Sequence, residues 1–139
     1  MDGFPRRSEI DFEGLVDQAL EELPDQFRAR LNTVAIVIDD EATSEMLAQT
    51  GAAGLFGVYQ GVPRTAWGAD QAPIASKITI FRRPLEAFHP DPGALARAVR
   101  ETVFHEIAHH FGISDARLEE LSREARAARG QRKRDRSSG

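Results

Sequence analysis

The chain of 139 residues is long enough for one domain with a single core, and 41% hydrophobic with 29% charged residues is ordinary for a soluble globular protein. It contains no cysteine, which excludes disulfides and leaves any metal to His, Asp or Glu. No stretch approaches the ~20 apolar residues of a membrane span, and the first residues lack the apolar run of a signal peptide, so the expected location is cytoplasmic.

Charge is unevenly spread. Residues 126–139 carry six basic side chains against Asp135 alone, a balance of +5 within a total of −4, which leaves −9 on the rest. An acidic body argues against a nucleic-acid surface spread over the fold.

In chain order, Ser8 reads as an N-cap, and Phe12, Leu15, Val16, Ala19, Leu20 and Leu23 recur at three- and four-residue steps, the period of an amphipathic helix. Pro24 ends it and starts a short turn through Phe27 and Leu31. The β-branched run TVAIVI (33–38) predicts a strand, and its continuous apolarity predicts burial on both faces inside the sheet. A short helix over 43–49 stops at Gly51. LFGVYQ (55–60) is a second strand, in which Gly57 marks a bulge or a close backbone approach. Residues 61–75, rich in Gly, Pro and Ala, form a surface loop, and KITIF (77–81) is a third strand. Residues 84–88 make at most a helical turn. Asp91 followed by Pro92 is a strong start for a long helix that runs to Phe111, with Gly112 suited to a left-handed cap. A last helix over 115–128 docks through Leu118 and Leu121. Residues 1–125 thus form one domain, and the basic segment 126–139, without core-forming side chains, reads as a disordered tail.

The chemistry concentrates on His105-Glu106-Ile107-Ala108-His109. Residues four apart on a helix are offset by about 40°, so both imidazoles leave one face with the spacing of two zinc ligands. Glu106, on the flank of that face, can accept a proton from a water whose pKa a zinc ion brings towards ~7. Beyond the break at Gly112, Asp115 can turn back as a third protein ligand and leave the fourth position open, as a catalytic site requires. Asp115 also opens the next helix and so can serve as its N-cap, and Glu119 is the alternative third ligand. His110 points away from the pair and suits a supporting hydrogen bond more than ligation. Tyr59 and Trp67 are further candidates beside the substrate.

His105, Glu106, His109, Gly112 and Asp115 resemble the HExxHxxGxxH/D pattern of metzincin-like zincins. More narrowly, GLFGVYQGVPRT (54–65), KITIFRRPL (77–85) and VFHEIAHHFGISD (103–115) resemble the small bacterial zincin-like metallopeptidases called minimal zincins. The resemblance implies an α+β fold, with a small mixed β-sheet packed on the active-site helix and helices at both ends. It implies a zinc peptidase acting on peptide or protein substrate, which binds along an edge strand at 55–60 or 76–81. The chain departs from metzincins in that Met1 and Met46 both precede the motif and no tyrosine follows it. The oxyanion-stabilising group is therefore open among His110, Tyr59 and an arginine. Two other readings stand beside the peptidase. A zinc-dependent endoribonuclease for ribosomal RNA maturation has a related motif, but keeps glycine where Glu106 stands and histidine where Ala116 stands. The third is a non-catalytic module on the same fold.

Overall fold

The computed structural model describes residues 7–61 and 76–138. Its elements are α1 (Arg7–Glu21), α2 (Asp25–Arg28), β1 (Val34–Asp39), α3 (Ser44–Thr50), β2 (Gly57–Gln60), β3 (Ser76–Phe81), α4 (Arg82–Phe88), α5 (Pro92–Phe111) and α6 (Asp115–Ser138), with 3-10 turns at Leu31–Thr33 and Gly51–Gly54. The fold is α+β. Three strands in the order β1-β3-β2 form a small mixed sheet, β1 parallel and β2 antiparallel to β3.

The sheet corrects one expectation. The apolar run 33–38 was expected inside the sheet, but among the described residues β1 is bonded to β3 alone, and only Val34 in it is buried. β3 takes the centre, with Ser76, Ile78, Thr79, Ile80 and Phe81 buried. Val34, Ile36 and Ile38 share one face of β1 and meet the core, while Ala35 on the opposite face is exposed.

The core joins Phe12, Val16 and Ala19 of α1, and Leu23 just beyond it, to Ile78 and Ile80 of β3, to Val99, Val103, Phe104 and Ile107 of α5, and to Leu118 of α6. Each fully buried side chain of this kind contributes about 1.5–3 kcal/mol relative to exposure. Where Ser8 was expected to cap α1, it lies inside the helix, which already includes Arg7. α4 is a seven-residue helix rather than a single turn.

α5 has the start and stop its sequence predicts. Asp91 caps it by accepting from the Ala94 amide at 2.9 Å, Pro92 occupies the first turn, and Gly112 closes it in the left-handed region at φ 71°. Gly57 is a close approach rather than an ornament: a Cβ there would lie 2.8 Å from the Thr102 side chain and 3.2 Å from the Thr79 carbonyl. Only glycine lets β2 lie this near α5. That contact sets Tyr59, two residues on and on the same face, over the end of α5 that carries the histidines.

Arg100 of α5 ties the turn after α1 to α6. Its Nε donates to Glu22 at 2.7 Å, its two Nη groups donate to both carboxylate oxygens of Glu119 at 2.8 and 3.0 Å, and its guanidinium lies 4.2 Å from the centre of the Phe104 ring. The two carboxylates raise its proton affinity further, Glu119 most of all, against the opposing effect of burial.

α6 does not stop near residue 128. It continues through Ser138, although its side chains over 123–134 are largely exposed. Helix propensity accounts for this, because Ala, Arg, Gln and Lys hold a helix without burial. Arg126 and Arg129 add ionic contacts to Glu22 and Asp25, at 3.6 and 3.8 Å.

Candidate metal centre

His105, Glu106 and His109 lie in the last two turns of α5. The two imidazoles are half-exposed, with ring centres 5.8 Å apart. Glu106 is the opposite: its side chain is only 6% exposed, and one carboxylate oxygen stands 3.7 Å from His109 Nδ1, an ionic contact longer than a hydrogen bond. Burial pushes the Glu106 carboxyl above the usual carboxylate range, and the positive potential of His105 and His109 partly offsets it. A carboxylate with raised proton affinity next to two imidazoles is suited to take and return a proton.

Asp115 and Glu119, the two candidates for a third ligand, are placed very differently. The helix start at α6 is capped by Ser114, whose Oγ accepts from the Arg117 amide at 3.0 Å. Asp115 is therefore spared the capping role, and its Oδ2 stands 2.8 Å from His105 Nδ1. Glu119 instead has both oxygens committed to Arg100.

The donor set of two imidazoles and one short carboxylate is of the kind that holds zinc. Among the described residues no group of three or more such side chains already stands as a ready-made cluster. Asp115 closes on His105 rather than on a common centre. His105, His109 and Asp115 are 55%, 64% and 58% exposed, and their chemistry, though not their present arrangement, is that of zinc ligands.

The Asp115 hydrogen bond raises the proton affinity of His105 above its ordinary value near 6.5, with burial opposing. In the metal-free protein the pair contributes stability that is fully present below pH ~6.5 and is lost as pH rises through the raised folded value. Both groups are more than half exposed, so the contribution is small. Proton NMR of His105 is expected to give a midpoint above 6.5 that falls back in Asp115→Asn. An identical midpoint in the variant would show that the contact does not form in solution.

His110 and Tyr59 sit on the inner side of the same helix end. His110 is fully buried, with Nε2 3.0 Å from Thr33 Oγ1 and Nδ1 3.0 Å from the Tyr59 hydroxyl. The Tyr59 ring centre lies 5.8 Å from that of His109. Trp67 falls outside the described residues. Of the two edge-strand candidates, 76–81 is excluded, because β3 is paired on both sides; β2 is bonded only to β3 among the described residues.

A small mixed sheet lying on a helix that presents His105, Glu106 and His109 defines a zincin-like domain. The family model described as zincin-like metallopeptidase matches residues 31–125, more than half of the chain, and the chain belongs to that family. A search of curated proteins found no match. Membership implies a hydrolase of proteins or peptides whose usual metal is zinc. Among the described residues no helix is long and apolar enough to cross a membrane.

Proposed function

We propose that this protein is a zinc-dependent peptidase in which His105, His109 and Asp115 hold the metal and Glu106 is the general base. The observation that carries the reading is Glu106, a buried carboxyl of raised proton affinity set between two half-exposed imidazoles. When bound, zinc supplies Lewis acidity that polarises a scissile carbonyl and acidifies a water. Glu106 takes the proton of the attacking water and returns it to the leaving amine. The substrate backbone lies along the outer edge of β2, where main-chain hydrogen bonds orient an extended peptide. Tyr59 and Gln60, at the end of that strand, bring it over the histidines.

The test is metal content joined to turnover. The purified chain is expected to carry about one zinc, to cleave members of an unstructured peptide library, to lose cleavage on chelation and to regain it with zinc. Stoichiometric zinc without cleavage of any peptide would leave a binding module instead, and cleavage of ribosomal RNA in its place would favour the ribonuclease.

A further inference from the structure

A chain of hydrogen bonds runs beneath the candidate metal centre, linking residues 77 positions apart. Thr33 Oγ1 donates to the Arg30 carbonyl at 2.7 Å. A hydroxyl has one proton, so Thr33 can only accept from His110, and His110 Nε2 carries hydrogen across the 3.0 Å contact. On the other side of the ring, Nδ1 meets the Tyr59 hydroxyl at 3.0 Å, and that hydroxyl is also 3.3 Å from Ser76 Oγ. The chain joins the turn before β1, the last turn of α5, the edge strand β2 and the start of β3.

Two consequences follow. The single Tyr59 proton has its partner inside the protein, at His110 or at Ser76, so Tyr59 is not placed to donate to a developing oxyanion. Its ring, in contrast, is fixed at both ends: by the strand backbone and by the hydroxyl contacts. It stands at 5.8 Å and 34° to His109 and at 5.4 Å and 57° to His110. His109 is 64% exposed, and its other contacts are the Glu106 carboxylate at 3.7 Å and the His105 ring at 5.8 Å.

We propose that His110 is a positioning residue of the metal site: anchored by Thr33, it locks the Tyr59 ring as a wall that sets the orientation of His109. Groups that orient a ligand imidazole are worth roughly 10–100-fold in metal affinity, which is the size expected here. The inference rests on the metal-binding reading above.

Cobalt(II) reports both affinity and geometry through its visible absorption, so the full chain is titrated with cobalt and then with zinc in competition. Tyr59→Phe keeps the ring and drops the hydroxyl. Thr33→Val keeps the branched shape and drops the acceptor for His110, whereas Thr33→Ser keeps the acceptor. Tyr59→Phe and Thr33→Val, both folded by circular dichroism, are expected to bind one cobalt about 10–100-fold more weakly with a shifted visible band. Thr33→Ser is expected to match the parent. Parental affinity and spectrum in both variants would overturn the proposal, as would a loss that Thr33→Ser shares, since that would reflect packing alone. Failure of the parent chain itself to bind cobalt or zinc would overturn the metal reading and this inference together.

Discussion

Glu106→Gln is expected to retain zinc and to lower kcat for peptide hydrolysis by about 10²–10⁴-fold, the contribution of a positioned general base. The amide has nearly the shape of the carboxyl it replaces, so α5 and the two imidazoles keep their places. It has no basic oxygen, so the proton of the attacking water has nowhere to go. The stability effect runs the other way. Burial raises the folded-state pKa of Glu106, so its neutral form is the one the fold prefers. Stability from this group is full below the unfolded value and is lost as pH rises through the folded one, where an ionised carboxylate must stay buried. Glutamine carries no such charge, and the metal-free variant is expected to be at least as stable as the parent at neutral pH in urea unfolding. Undiminished turnover in Glu106→Gln would remove the general-base role.

The active-site helix was legible because its signals are local. Asp91 and Pro92 mark the start, Gly112 marks the end, and His105 and His109 share a face by spacing alone. Apolar runs of strand length and helical periods located the elements, whereas the α+β class and the mixed sheet followed from the family resemblance of residues 54–65, 77–85 and 103–115. The position of each strand was not legible. β1 and β3 are both apolar, and nothing local in VAIVID or SKITIF says which is flanked on both sides. The length of α6 was misread for a different reason. Residues after 125 lack core-forming side chains, but Ala, Arg and Gln favour a helix by propensity, and Arg126 and Arg129 reach Glu22 and Asp25. At the site, the partners of Thr33 and Ser76 were invisible, since their contacts to His110 and Tyr59 form only once the strands pair. Ser114 could have been found: a serine directly before the first residue of a helix is a favoured cap, and recognising it frees Asp115.

Freeing Asp115 gives the sharpest contrast between neighbouring residues. Asp115→Ala is expected to weaken zinc binding by more than about 100-fold, beyond the 10–100-fold range of a supporting contact, because a direct ligand is lost. Its folding stability should change little, since Ser114 supplies the helix cap and the His105 pair is half-exposed. Glu119→Ala is expected to do the reverse. It leaves Arg100, which is partly buried, with Glu22 as its remaining carboxylate partner among the described residues, a loss of about 1–3 kcal/mol in urea unfolding, and zinc affinity stays at the parental value. Stability and metal affinity are measured separately, so the two substitutions should cross. His105→Ala and His109→Ala provide the reference, each expected to abolish stoichiometric zinc. If Glu119→Ala lost the metal while Asp115→Ala kept it, the third ligand would lie one turn farther along α6, and the Arg100 pairing would have to break each time zinc binds.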